Sequence, residues 1–549
     1  MFSIKKDFKG ISLAVIFFIF AFFPVASMAN GLAVSNVSIV SQNETNQTAN
    51  VQFDITWNNS WRNAINYDAA WVFVKFSTDH GVTWNHATLA ATGGSTVSDG
   101  GTGGVLNPTG YSLGSGTGLQ IIVPTEASSG YKGAFLQRAS NGEGTLNTTG
   151  VQLVWNWAAD GLTATTPARV KVFAIEMVYI PTASFYVGTP TANIHSLDWP
   201  FYEYGTNNPY QITSEGPITI GTSNGDLYYN STFGGDQTGT LPDNTTSGTG
   251  FPKGYEAFYR MKYDITQGEY RDFLNTLTRN QQATRVATNI ATGVTTVGGV
   301  YVMNDDTTTY SRSGIRVISP IPSTGPVTFG CDVNNTGTLN GSNDGEWIAA
   351  NFLDWADVIA YAAWTGLRPF TELEYEKAAR GPNAVVDGEY AWGSTVIARP
   401  TGINNSGQNN EVASNAGANA AYDNSGGTGT FGPFRVGMFA STATTRVQAG
   451  AGYYGNMDLS GNVTKFAVTV GNAQGRAFIG SHGTGVLSVA GDATNTDWPS
   501  PTTAVGSGLR GGTFNNNVQY LSIADRGFAA SALPNRNTPY GGRVARTSP

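Results

Sequence analysis

Cysteine is nearly missing from this chain: one residue, Cys331, in 549. No intramolecular disulfide can form, and no site built from two or four thiolates is available. A chain of this length can rely on its core instead, and Cys331 is expected to be a buried apolar residue. Charge is scarce too, at 12% of residues, about half the usual share. The 30 basic and 38 acidic residues leave a net charge of -8, which argues against a broad nucleic-acid-binding face. Ala, Glu, Lys, Leu and Arg do not dominate, so a coiled coil or long helical array is excluded. What the chain has is glycine, 69 residues or about one in eight, with much Asn, Thr and Ser and 12% aromatics. That is the composition of a loop-rich, extracellular β protein with a sizeable core.

Only one apolar run stands out, Ile11 to Phe23, behind Lys5, Lys6 and Lys9. It is about 13 residues long, short of the ~20 needed to span a bilayer. Small residues at Ser27 and Ala29 complete a secretory signal peptide over residues 1–29, with cleavage before Asn30. The mature protein is expected to be secreted or held at the cell surface, without stable membrane insertion.

Residues 30–175 read as an all-β, sandwich-like N-terminal domain. Val51 to Trp57 and Trp71 to Phe76 alternate with period two, and Val151 to Trp157 and Val170 to Val178 are further strands. Gly93 to Gly118 reads as a long loop. Ser77-Thr78-Asp79-His80-Gly81-Val82-Thr83-Trp84 matches the turn called an Asp-box, a folding device to which no catalysis is assigned. A second region, 176–549, carries a Gly/Asn/Thr-rich insertion at about 190–255 and three helical patterns. These are Thr266 to Leu277, Asp354 to Thr365, and Glu372 to Arg380, the last with a capping box formed by Thr371 and Glu374.

Met177 to Pro181 with Met261 to Tyr270, and then Trp364 to Glu376, are the first of six motifs in the second region; they resemble the opening and the W-x-G-x-R-L-P-T-E-x-E-W-E segment of the formylglycine-generating enzyme (sulfatase-modifying factor) family. Tyr390 to Gly393, Met457 to Val463, Arg510 to Phe514 and the terminal Gly542-Arg543 follow in the family's order. The resemblance, over residues about 177–549, implies an α+β, C-type-lectin-like fold with few regular elements.

It also implies chemistry that this sequence lacks. Enzymatic members oxidise a cysteine using copper held by two cysteines; the matching positions here are Asn516 and Leu521. Neither side chain provides the soft thiolate that Cu(I) needs, so no copper is expected. A related branch uses an H-x₃-H-x-E iron site, and none of His80, His86, His195 and His482 has that spacing. The family's calcium site would draw on Asp458, Gly461 and Val463, but its glutamate is replaced by Lys465, whose ammonium is expected near Asp458 in place of the ion.

Spacing alone raises a separate calcium reading. Asp332, Asn334, Thr336, Asn340 and Asn343 put oxygen side chains at positions 1, 3, 5, 9 and 12 of a loop with Gly337 at 6. A calcium loop and an Asn/Gly-rich turn are both compatible with it.

These residues point to a non-catalytic ligand-binding or structural protein, a pseudoenzyme of its family, with a glycan or protein as extracellular partner and no nucleic acid. The expected binding face is Phe514, Asn515, Asn516, Asn517, Tyr520, Ser522, Arg526, Phe528, Asn537 and Tyr540: rigid aromatic area beside adaptable amides. The aromatics Phe514, Tyr520, Phe528 and Tyr540 are expected to include at least two exposed rings near Asn516, Asn517 and Arg526. One alternative is a variable ligand-binding protein of a diversity-generating retroelement, which shares the fold and its Asn-rich C-terminus. The other is an enzyme of non-copper chemistry using Glu372, Glu374, Glu376 or Asp458.

Overall fold

The computed structural model describes residues 31–98, 103–125, 131–190, 199–229, 234–423 and 431–549. The expected signal peptide lies outside the described residues. No helix among the described residues is long and apolar enough to cross a membrane.

The N-terminal region is built on two antiparallel sheets. The first is four-stranded, with Thr48–Arg62 between Ala33–Asn43 and Gly142–Asn156. Its alternating pattern places Val51, Phe53, Ile55 and Trp57 inward at 0–1% exposure while intervening residues keep surface. The second sheet has nine strands and Asp68–Ser77 near its middle, buried along its whole length. Such burial requires cover on both faces. Ala70, Val72, Val74 and Phe76 pack on the first sheet, whereas Ala69, Trp71 and Phe73 join the core of the second region.

Strand Arg169–Ile180 joins the regions. It pairs with Asp68–Ser77 from Arg169↔Ser77 to Val178↔Asp68, and its end pairs with Phe258–Met261. The C-terminal strand Ala545–Thr547 then pairs with Phe258–Met261. The division expected at 175/176 therefore falls inside one strand, and the regions share a sheet and a core. The stretch Gly93 to Gly118 is not simply a loop: Ser95–Val97, Gly104–Leu106 and Ser112–Gly116 each pair with a neighbouring strand. Short strands rich in Gly and Ser carry too little apolar alternation to be legible. The insertion likewise folds into small sheets, with Phe201, Ile218, Leu227 and Tyr229 in the main core.

The second region is mixed α+β with long irregular connections. Helix α1 is Gln267–Leu274, capped by Thr266 and Glu269. The short α2, Arg279–Thr284, was not anticipated, since it has no apolar period; a Thr278/Gln281 capping box starts it. Helix α3 is Trp355–Thr365, from its Asp354 cap to Gly366, whose φ of 75° closes the helix in the left-handed region. Helix α4 is Glu372–Arg380, with the expected Thr371/Glu374 capping box. Cys331 is buried, and that burial pushes its thiol up to about 12. At Ser77–Trp84 the Asp79 carboxylate gathers the Val82 and Thr83 N–H groups and the Ser77 and Thr83 hydroxyls, forming a closed turn.

His86 lies where the nine-stranded sheet meets the end of α3. Its ring stacks 5.6 Å from Phe73, and its Nε2 donates to the Lys132 carbonyl. Burial and the neighbouring Lys75 charge hold His86 well below its usual value. The unfolded chain thus takes up a proton below pH about 6.5 that the folded protein refuses, so stability from this residue is lost as pH falls. The steepest contribution is about 1.4 kcal/mol per pH unit. Denaturant titrations from pH 7 to 5 should show stability falling more steeply for the wild type than for His86→Gln; equal slopes would contradict the assignment.

Candidate binding site

Helix α4 organises the surface on which the site stands. Glu372 and Glu376, four residues apart, share one helical face, whereas Glu374 points away from it. Glu372 accepts from Arg526 at 2.8 and 3.1 Å, from Arg510 at 3.0 Å, and from the Thr469 hydroxyl and Val470 N–H. Burial raises its proton affinity, but Arg526 and Arg510 outweigh that and hold its carboxyl below the ordinary range. Glu376 accepts from Arg510 at 2.7 Å, Arg380 at 3.0 Å and the Gly188 N–H at 2.7 Å. Glu374 completes the cap and makes a two-pronged pair with Arg368 at 2.6 and 2.9 Å. All three glutamates are at most 1% exposed and fully engaged in holding the fold.

Arg510 and Arg526 bracket the C-terminal loops, so α4 fixes where those loops begin and turn. Outside them lies a cavity of about 350 Å³. Six expected face residues line it: Asn515, Asn516, Tyr520, Phe528, Asn537 and Tyr540. The Tyr520 and Phe528 rings lie 5.8 Å apart, and Phe528 is 43% exposed. The Thr513 hydroxyl donates to the side-chain oxygens of Asn515 and Asn516. Among the described residues, no hydrogen bond engages the side-chain nitrogens of those two asparagines, while their backbone N–H groups donate to the Thr513 hydroxyl and carbonyl. Tyr310 and Phe431 add two aromatic walls. Both come from turn-rich segments far from the C-terminus, with no sequence signal of where they would pack.

The remaining expected residues do not join this surface. Phe514 is fully buried, edge-on to Phe431 at 5.4 Å in a small apolar cluster. Arg526 is also fully buried, held by Glu372 between the Phe201 and Tyr229 rings, each 4.0 Å away. A guanidinium paired in this way is structural and does not cluster with the exposed amides. Ser522 is 5% exposed and turns the chain, its hydroxyl accepting from the Ala524 N–H. Asn517 is exposed but lies off the cavity lining.

A family model described as the sulfatase-modifying factor enzyme 1-like domain matches residues 211–548, more than half of the chain. The protein belongs to this family. A comparison with curated proteins finds no match. Membership accords with the mixed α+β structure and a C-type-lectin-like fold for the second region.

The sulfatase-modifying-factor positions for metals do not fit their ions in this member. Leu521, at one copper position, is fully buried in an apolar cluster, and Asn516, at the other, is an amide bonded to Thr513. Neither is a ligand for Cu(I). At the calcium position, the Lys465 ammonium donates to the Gly461 carbonyl at 2.6 Å, where the family's ion would draw an oxygen. Its nearest carboxylate is Asp264 at 3.8 Å, which also pairs with Arg543 at 2.7 Å. The expected partner, Asp458, instead accepts the Gly437 N–H at 2.7 Å. Burial, and then the Asp264 charge, push Asp458 up to about 6; burial brings Lys465 down to about 8. Val463 is buried beside Gly541.

In the Asp332 loop, protein donors occupy the oxygens. Asp332 accepts the Thr336 and Gly337 N–H groups at 2.9 and 3.0 Å and pairs with Arg316. Asn340 accepts from Arg271 at 2.8 Å and the Cys331 N–H at 2.9 Å, while Asn334 donates to Asn343. Among the described residues, no three His, Cys, Asp or Glu side chains converge to hold a metal. The arrangement favours the turn reading over the calcium loop.

Replacing the ammonium by a carboxylate should reverse the electrostatics at Gly461. Lys465→Glu is expected to melt below the wild type in chelator and to regain stability with calcium, by about 2.7 kcal/mol at a hundredfold excess over Kd. The wild type should not respond through this site. Thermal melts with and without calcium check this; equal responses from both proteins would contradict it.

Proposed function

We propose that this protein is an exported, non-catalytic ligand-binding member of the sulfatase-modifying-factor family, with an extracellular glycan or protein as its ligand. The observation that carries the reading is the cavity of about 350 Å³, where Tyr520, Phe528, Tyr540, Tyr310 and Phe431 stand beside Asn515, Asn516 and Asn537. Aromatic rings supply contact area at low conformational cost, and amides adapt their hydrogen bonding to a ligand's hydroxyl or peptide groups. The volume lies within the usual ~300–1,000 Å³ of small-molecule and side-chain pockets. Of the carboxylates that an enzymatic reading would use, Glu372, Glu374 and Glu376 are buried and committed to arginines, and Asp458 is buried and accepts the Gly437 N–H. The export half of the reading rests on Lys5 to Ala29 of the sequence.

A second reading, a variable protein of a diversity-generating retroelement, is favoured by the contiguous Asn515, Asn516 and Asn517, of which the first two line the cavity. A neighbouring reverse-transcriptase gene with an imperfect, adenine-rich copy of this coding stretch would distinguish it.

Screening the mature chain against glycan and extracellular-protein arrays tests the main reading. Aromatic truncation in a binding site commonly costs ~2 kcal/mol or more in affinity, whereas an exposed ring adds little to folding. Phe528→Ala should therefore abolish capture of any array hit while moving the melting temperature little, whereas Tyr520→Ala, at a half-buried ring packed on the Leu521 cluster, should weaken capture with a moderate loss of stability. Large losses of stability in both variants, or undiminished capture, would contradict it. So would formylglycine, seen by mass spectrometry, in a cysteine-containing sulfatase peptide incubated with the protein and copper.

A further inference from the structure

The cavity that carries the proposed binding does not stand alone. Tyr310 and Phe431, whose rings lie 6.4 Å apart, also line a neighbouring cavity of about 490 Å³. The two cavities share this pair of rings, and Tyr310 is 51% exposed. The rest of the second lining is largely hydroxyl and amide, from Ser311, Asn334, Asn343 and Ser406.

Ser311 points to an occupant. It is only 6% exposed, and among the described residues no hydrogen bond engages its Oγ. A buried hydroxyl without a partner is destabilising. The backbone there is strained as well: Ser311 and Arg312 follow one another at φ of 49° and 57°, in the left-handed region that side chains disfavour. Buried groups hold this turn in place. Asn351 donates to the Ser311 carbonyl at 3.0 Å, Gln267 to the Arg312 carbonyl at 2.7 Å, and Arg312 pairs with Glu411. An unpaired hydroxyl on a strained turn at a cavity wall is the kind of defect that persists where a ligand supplies the missing partner.

Charge narrows the ligand's chemistry. Arg510 is paired with Glu372 and Glu376, Arg312 with Glu411, and Asp525 accepts the Gly527 N–H at 2.8 Å. These three are at most 7% exposed, and among the described residues no other Asp, Glu, Lys, Arg or His lines either cavity. An acidic or basic ligand would therefore meet no counter-charge. A sugar ring needs none: its C–H face lies on the negative face of an aromatic ring while its hydroxyls turn to amides and hydroxyls around it. Resting on the binding reading above, we infer that the ligand is an uncharged oligosaccharide. It crosses the Tyr310 and Phe431 rings from the first cavity into the second, where one of its hydroxyls pairs with Ser311.

The test is isothermal titration of the mature full-length chain with the hexasaccharides of the cello, chito, xylo, manno and malto series. The matching disaccharides and the hexamer of galacturonic acid serve as controls. At least one neutral hexasaccharide should bind at least tenfold more tightly than its disaccharide, and the galacturonate hexamer should not bind. Tyr310→Ala should weaken that hexasaccharide at least tenfold. Ser311→Ala should weaken it severalfold without lowering the melting temperature, because the free protein has no hydrogen bond at that hydroxyl to lose. Asn343→Ala, at an exposed side chain, should weaken it too and guards against a folding defect in the other variants. Equal affinity for disaccharide and hexasaccharide, binding of the galacturonate hexamer, or unchanged affinity in all three variants would overturn the inference. If no neutral hexasaccharide binds while an array protein is captured and then lost in Phe528→Ala, this inference falls and the binding reading stands. Absence of any capture would remove both.

Discussion

Three glutamates on the nine-residue α4 hold together a protein with little regular structure around them. Through Arg510 and Arg526 they reach the C-terminal loops, through Arg380 the segment at Gly188, and through Arg368 the chain just before the helix. Removing one partner of such a buried pair typically costs ~3–5 kcal/mol, because the other charge is left without compensation. The pairs therefore act as cross-links between segments that share no strand or helix. Other arginines do the same work against backbone carbonyls: the buried Arg435 on Glu411 and Arg543 on Met457, and the half-buried Arg446 on Ala379 and Ala391. In a chain with one cysteine, guanidinium forks meet the hydrogen-bonding demand of buried loops.

That arrangement explains what could be read from the sequence. Capping boxes and apolar periods are local, so α1, α3 and α4 and the alternating strands were legible from their own residues. The family motifs located the second region for the same reason. Partnership between distant charges is not local. Arg526 stands among exposed amides in the sequence, yet its partners Glu372, Phe201 and Tyr229 come from three other segments. Phe514 was misplaced likewise, because Phe431, which covers it, lies more than eighty residues earlier. Lys465 did replace the family's glutamate with an ammonium at the Gly461 carbonyl, but Asp264, not Asp458, is the nearest carboxylate. Asp458 was the acid in the recognisable motif, while Asp264 lies in the chain about two hundred residues before it.

The N-terminal region contributes more than an appended module would. Its central strand is buried on both faces only because the family domain covers one of them, and strand Arg169–Ile180 runs through both regions. Trp71 donates to the Thr365 carbonyl at 2.8 Å, and Lys75 to that of Trp364 at 2.7 Å, so the sheet also caps the end of α3. One surface follows from this architecture: the aromatic and amide cavity positioned by α4.

The central claim is that α4 positions the C-terminal loops through charge. Hydrogen exchange read by mass spectrometry on Glu372→Gln tests it most directly, since the variant keeps the shape and removes the carboxylate shared by Arg510 and Arg526. Peptides covering 510–530 should lose protection, while those from the Asp68–Ser77 and Thr48–Arg62 strands keep theirs. Unchanged protection over 510–530 would contradict the claim.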